Sequence, residues 1–306
     1  MGEQQTAPAL SIVVVSFGRT LDALERCLRA VNAQRVARDA EIIVVRKWHV
    51  EAGEDAGNLA SKFRHVRWLN ATDGTIPHMR RLGVAESSGQ VVALVEDDCV
   101  VDVDWGGSIM RAHAGPHVAV GGAVEPGAYR SALDWAVYFC DYSRFMLPFA
   151  GGEESLLPGS NVSYKRRVVP ELLAITEQEG LQETFVHRAW HETGKPMFAD
   201  PRIVVRNEHR WTVADVSSVP FHHGRAFGGR RAHTWGLEQK MLFALSTAAL
   251  PLVQVARILL RVARRRRAIV PLVRALPWIG LFNVSWAAGE CVGYAMGAGD
   301  SLRRWR

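Results

Sequence analysis

The chain has 306 residues, 48% of them hydrophobic and 22% charged, a composition that excludes a disordered chain and suffices for a sizeable core. Its formal net charge of +6 is uneven: from Gln254 to Arg306 ten arginines stand against two acids, whereas the other residues carry 27 basic and 29 acidic side chains. The body therefore has no electrostatic affinity for nucleic acid, and only the basic tail points to an anionic surface.

The first ten residues, MGEQQTAPAL, contain no apolar run of the kind a secretory leader needs, so export is not expected. SIVVVSF (11–17) is a β-branched apolar run and reads as a strand buried on both faces. Thr20 is placed to cap a helix running to about Gln34, with Leu21, Leu24, Cys27, Leu28 and Val31 on one stripe. EIIVV (41–45) is a second buried strand, and a shorter one is expected near 66–69. A helix over Met79–Ser87 ends at Gly89, and VVALV (91–95) runs directly into Glu96-Asp97-Asp98. This alternation predicts a three-layer α/β/α domain with a mostly parallel central sheet over residues 1–212. Within it, a helix is expected over Gln182–Thr193 and a strand over Arg202–Arg206. From Val213 to Arg306 the signal is helical.

Met241–Ala256 and Ala275–Gly289 are uncharged runs of 16 and 15 residues, both short of the roughly 20 needed to span a bilayer. Arg257, Arg261 and Arg265 recur every four residues among Val255, Leu259, Leu260 and Val262. That pattern suits a basic amphipathic helix lying in a membrane interface, at the cytoplasmic face; the plainer alternative is a helical hairpin packed on the body. The four cysteines lack CxxC or Cys/His spacing and read as buried thiols in a reducing compartment.

The acids at 96–98 carry the chemistry. Three carboxylates at the end of a buried strand repel one another unless cations or hydrogen-bond donors compensate. Ligands of open α/β sheets bind at the carboxyl ends of strands. Mg²⁺ or Mn²⁺ with oxygen ligands would neutralise a diphosphate there. A solvated acidic turn has the same sequence.

The segments SIVVVSFGRTLDALERCLRAVNAQ, EIIVV, IPHMRRLGVAESSGQVVALVEDD, VGGAVEP (120–126), LPGSNVSYKR (157–166) and ETFVHRAWHETGKPMFADP (183–201) together resemble the family 2 glycosyltransferases, which have the GT-A fold. The resemblance runs to about His209. HHGRAFGGRRA (222–232) and GECVGYAMGAG (289–299) resemble tail segments of some bacterial members. It implies a nucleotide-sugar donor and a glycan or lipid-linked acceptor. It implies Glu96 and Asp98 as metal ligands with Asp97 at the donor, and Glu183 as the base of an inverting transfer. An ordinary acid also suits position 183, because a helix N-terminus favours negative charge.

Where the family often has an acidic pair after the second strand, this chain has Arg46-Lys47-Trp48, so Trp48 is a candidate for stacking on the base. Arg80-Arg81-Leu82-Gly83 replaces Arg-Asn before glycine, and Arg80 or Arg81 is placed to reach a phosphate. Ser16, Phe17 and Arg19, at the end of the first strand, are further donor candidates. His209 is a candidate third metal ligand. Gly159, Ser160, Asn161 and Trp190 are candidates for the acceptor pocket.

Other classes fare worse. A nucleotidyltransferase would carry a Gly-rich basic loop after the first strand, and Ser16-Phe17-Gly18-Arg19 has one glycine. Neither GxGxxG nor GxxxxGK[ST] occurs where a dehydrogenase or a P-loop enzyme needs it. The tail's arginines are interleaved with aliphatics rather than stacking aromatics, which favours lipid over nucleic acid. A catalytically silent, membrane-associated scaffold is the non-enzymatic alternative.

Overall fold

The computed structural model describes residues 7–17, 21–48 and 53–304. In chain order the elements are β1 (Leu10–Ser16), α1 (Leu21–Asn32), β2 (Glu41–Arg46), α2 (Gly53–Lys62), β3 (Arg67–Asn70), α3 (Ile76–Glu86), β4 (Val91–Glu96), β5 (Cys99–Val101), α4 (Trp105–His113) and β6 (Ala119–Pro126). They continue with α5 (Ala132–Tyr142), β7 (Gly152–Glu153), β8 (Asn161–Lys165), α6 (Val169–Ile175), α7 (Glu183–Glu192), β9 (Met197–Asn207), α8 (Val213–Arg231), α9 (Leu237–Ser246), α10 (Leu250–Arg265) and α11 (Ile269–Met296). Thr20, the expected helix cap, lies outside the described residues.

Two compact units result. Met1–Glu125 with Leu147–Glu208 form the first, and Pro126–Met146 with His209–Arg306 form the second. The division is discontinuous in the chain, where the sequence suggested a single break after 212. α5 carries the difference.

The first unit is built on a sheet ordered β3-β2-β1-β4-β8-β6-β9-β5, with β7 added on β9. β1, β2 and β4 are buried almost throughout, as their β-branched runs require. α1 lays Leu24, Cys27, Leu28 and Val31 into the core. The sheet is mixed rather than mostly parallel. β1 runs parallel to β2 and β4, and β2 to β3. The pairs β4–β8, β6–β8, β5–β9 and β7–β9 are antiparallel. The chain steps outward from β1 to β2 and β3, then returns across α3 to place β4 on the other side of β1. The carboxyl ends of β1 and β4 therefore flank a topological switch point, where open sheets open a crevice for ligands. Immediately afterwards Asp97 and Asp98 turn the chain out of the sheet centre, because β5 pairs with β9 at the far edge.

The second unit is helical. Ser131 with Asp134, and Thr212 with Asp215, form capping boxes that start α5 and α8. α8 and α11 meet at backbone distance: a Cβ on Gly224 would stand 2.2 Å from the Trp286 carbonyl oxygen, and one on Gly289 1.9 Å from that of Phe221. Only glycine permits that approach. α5, α10 and α11 enclose an apolar core of Tyr138, Phe139, Met146, Ile258, Val262, Leu272 and Ile279. Leu237–Arg265 and Ile269–Met296 are helical over 29 and 28 residues, long and apolar enough by length and composition to cross a membrane. Counting uncharged residues alone had made both too short.

Candidate functional site

β1, β2 and β4 each deliver their last residue to one place. The pairing sets Val15 opposite Glu96 and Ser16 opposite Arg46. The backbone N–H of Asp97 still donates to Val15 O at 3.0 Å, so the turn after β4 is anchored to β1. The Ser16 hydroxyl donates to Asp97 Oδ2 at 2.7 Å, and Arg46 Nη1 donates to Ser16 Oγ at 2.5 Å. Arg46 lies 3.8 Å from Asp97, both buried, so the second acid of the triplet has its counter-charge on the neighbouring strand. Burial draws the Arg46 guanidinium downward while Asp97 pushes it up. The guanidinium also lies over the Trp48 ring, 5.5 Å from its centroid. Trp48, half-buried, meets Trp68 at 5.8 Å, and its backbone N–H donates to Asn70 Oδ1. The ends of β2 and β3 thus present a pair of indoles beside a fixed cation.

The first acid is engaged from the other side. Arg80, on α3 and 6% exposed, donates through Nη2 to Glu96 and through Nη1 to Glu183 Oε2 at 2.5 Å. Glu183 is the first residue of α7, where the helix dipole favours a carboxylate. The Leu181 N–H donates to Pro77 O at 2.8 Å, which ties the approach to α7 to the start of α3 and brings the two side chains together. Burial pushes Glu96 up to about 7, with Asp98 and Glu183 adding to the rise and Arg80 opposing it. Those carboxylates hold the Arg80 guanidinium well above its ordinary value despite its burial. Asp98, also buried, accepts from the Cys99 thiol at 3.4 Å.

Behind Glu183 stands a polar network that the sequence reading passed over. The Leu157 N–H donates to His187 Nδ1 at 3.3 Å, which leaves Nε2 to carry the proton and donate to Tyr164 Oη at 3.0 Å. His187 is fully buried and lowered to about 4, chiefly by loss of solvation. Burial and the Glu183 charge push the Tyr164 phenol well up. The one signal available in sequence was spacing: His187 lies one turn after Glu183 on α7.

The remaining candidates divide. Gly159 lies against Glu183: an added Cβ would stand 2.6 Å from the carboxyl carbon. Ser160, beside it, keeps a buried hydroxyl with no hydrogen-bond partner among the described residues. Asn161 is structural instead. Its Nδ2 donates to Ala123 O and Ile203 O at 2.9 and 3.0 Å, and its Oδ1 accepts from Trp105 Nε1 at 2.8 Å. That uses both amide hydrogens and the carbonyl within the fold. Trp190 is a correction of the same kind: it is fully buried, donates to Glu171 Oε1, and packs edge-on to Tyr164, so it presents no face to a sugar. Arg81 is half-buried, and its Nε has no hydrogen-bond partner among the described residues. Phe17 follows β1, half-buried, and Arg19 lies outside the described residues. His209 belongs to the second unit, its ring edge-on to Trp211 at 6.0 Å.

The expected metal set does not fit a divalent ion in this arrangement. Of the three expected ligands, Glu96 is engaged by Arg80, Asp98 accepts from the Cys99 thiol and His209 belongs to the second unit, and among the described residues no group of three or more His, Cys, Asp or Glu is disposed to hold a metal.

No family model matches the chain, and no curated protein matches it by sequence. Among solved structures it is similar to a mannosyltransferase from Pyrobaculum calidifontis, solved in complex with GDP-Man and Mn²⁺. The identity is 14% and the TM-score 0.55, over 94% of this chain and 88% of that one. The chain thus shares its fold with a glycosyltransferase.

Proposed function

We propose that the chain is a glycosyltransferase of the family 2, GT-A type. It would move a sugar from a nucleoside-diphosphate sugar to an acceptor hydroxyl with inversion at the anomeric carbon. The observation that carries this reading is the meeting of Glu183 with Glu96, the last residue of β4, through Arg80, at the switch point of the sheet. The likeness in fold to an enzyme that takes GDP-Man supports a nucleotide-sugar donor.

In this reading Glu183 accepts the acceptor's proton as the hydroxyl attacks, and the bond to the diphosphate breaks on the opposite face. Trp48 stacks on the nucleobase, and Arg46 and Asp97 fix the turn beside it. Gly159 leaves room for the acceptor's attacking oxygen at the Glu183 carboxylate, with the Ser160 hydroxyl beside it. Mg²⁺ or Mn²⁺ would have to contend with Arg80 for Glu96, and no step is assigned to either ion.

Titration of the full chain with UDP, GDP and dTDP, each with Mn²⁺ and with EDTA, tests the donor reading. Binding of one nucleotide, weakened roughly tenfold by Trp48→Ala, is the expected result. Folded protein that binds none of them would leave a silent scaffold as the better reading.

The acceptor is proposed to be lipid-linked or part of an envelope glycan, reached at the cytoplasmic face of the membrane. Support comes from the exposed apolar residues of α9 and α10. Leu237, Met241, Leu242, Leu245, Leu252, Leu259 and Leu260 are well exposed there, with Arg257, Arg264 and Arg266 exposed nearby. An apolar stripe flanked by arginines suits an interface of anionic lipid.

A further inference from the structure

Glu96 and Glu183 come from distant parts of the chain, yet one guanidinium serves both. Arg80 Nη1 donates to Glu183 and Nη2 to Glu96, with Arg80 and Glu96 buried and Glu183 half-buried. Asp98 and Glu183 each act on Glu96 as repelling charges. A cation between such buried carboxylates offsets their repulsion. The planar fork of arginine can take two carboxylates at once, which a lysine ammonium on its flexible stem does less well.

The fold fixes this pairing from several directions. α3 carries Arg80, the Leu181–Pro77 hydrogen bond brings the start of α7 beside α3, and Gly159 lets the Glu183 carboxyl settle against the backbone. Arg80 is thus held where a divalent ion would have to sit in order to draw on Glu96 and Glu183 together.

We propose that Arg80 is the resident cation of this site and that it competes with divalent metal ions for Glu96 and Glu183. The inference rests on taking these two acids as the transfer site, and it deepens that reading by assigning the site's counter-charge to the protein itself. A divalent ion that draws on Glu96 must first turn Arg80 out. The site of the free protein is then balanced without metal, and its latent metal affinity is set by residue 80.

The experiment titrates Mn²⁺ alone, without nucleotide, into the full chain, following the free-ion resonance signal and the heat of binding. Wild type, Arg80→Met and Arg80→Lys are compared. Arg80→Met is expected to bind Mn²⁺ at least tenfold more tightly than wild type, and Glu183→Gln added to it should cancel most of the gain. Arg80→Lys should show a smaller gain, since the ammonium holds the two carboxylates less fully. Folded Arg80→Met protein that binds Mn²⁺ no more tightly than wild type would overturn the proposal. Should Arg80→Met fail to fold, an absence of any gain in Arg80→Lys overturns it equally. No nucleotide is present, so this outcome is independent of the donor titration: the chain can bind UDP, GDP or dTDP and fail here, or the reverse.

Discussion

Gly159 and Glu183 are in contact: a Cβ on the glycine would stand 2.6 Å from the Glu183 carboxyl carbon and 2.7 Å from one of its oxygens. The obstructed group is the far end of a flexible side chain, so Gly159→Ala should fold with a stability loss of about 1 kcal/mol or less. The carboxylate must move away, and with it the contact to Arg80. If Glu183 is the base, a displacement of that size should lower kcat on the order of 100-fold. Nucleotide affinity should change little. Kinetics beside a urea melt checks both, and an unchanged kcat would remove Glu183 from the reaction.

His187 gives the fold a pH dependence of definite sign. Its folded value, about 4, lies below its ordinary value of 6.5 chiefly because burial makes a charge on the ring costly, with the Arg80 charge adding to the fall and Glu183 opposing it. Between those values the unfolded chain binds more protons than the folded one, so stability rises with pH. The contribution is complete above about pH 6.5 and is lost as the pH falls toward 4, by on the order of 3 kcal/mol. Glu96, raised to about 7, contributes in the opposite sense over the same range, so the slope is read from the difference in urea midpoints between wild type and His187→Gln from pH 4 to 7.

Much of the first unit was legible because its strands announce themselves. SIVVVSF, EIIVV and VVALV are buried on both faces, and that gives continuous β-branched runs. The antiparallel half was not legible. β8 is five residues with polar Asn161, Ser163 and Lys165, and its identity depends on partners far along the chain. The place of Glu183 could be named, but not its partner, since Arg80 meets it across 103 residues through packing that no local pattern encodes. Residue type also misled. Trp190 and Asn161 are the kinds of residue that bind sugars, and burial alone shows that they serve the core. The arginine period of α10 divides: Arg265 donates to the Ser143 and Arg144 carbonyls within the second unit, while Arg257 is exposed beside an apolar face.

Asn161 therefore yields a prediction opposite to that for an acceptor residue. Asn161→Ala strands the Trp105 indole N–H and two backbone carbonyls that the amide now satisfies. The expected loss is about 3 kcal/mol of stability, since each buried polar group left unpaired costs about 1–3 kcal/mol. The acceptor KM of the protein that remains folded should not change. A raised KM at unchanged stability would return Asn161 to the acceptor pocket.

Trp48 separates nucleotide binding from catalysis. Its half-buried ring is braced by Trp68 and Arg46, and base stacking on such a platform is worth about 1–3 kcal/mol. Trp48→Ala should weaken nucleoside-diphosphate binding roughly tenfold, the lower half of that range, while leaving the affinity for inorganic pyrophosphate unaltered. Equal loss of both would mean that the residue shapes the loop rather than holding a base.

The tail poses a choice between a packed hairpin and a membrane surface, and the exposed face of α10 decides how to test it. Ile258 and Val262 point into the second unit, whereas Leu252, Val253, Leu259 and Leu260 are exposed and share one side of the helix with Ala256 and Ala263. Exposed leucines contribute little to folding, so Leu252→Gln with Leu259→Gln and Leu260→Gln should leave the melting temperature within a few degrees. Each side chain that enters lipid contributes about 1.5–3 kcal/mol of apolar burial, so the triple variant should lose more than 100-fold in partitioning to vesicles containing anionic lipid. Arg257→Gln with Arg264→Gln should weaken binding to anionic vesicles about tenfold or more and leave neutral vesicles unaffected, at about 1 kcal/mol per arginine. Cosedimentation across salt concentrations separates the two effects, since only the arginine contribution is screened. Wild-type protein that stays in the supernatant with anionic vesicles would return the tail to the packed-hairpin reading and remove the reason for expecting a lipid-linked acceptor.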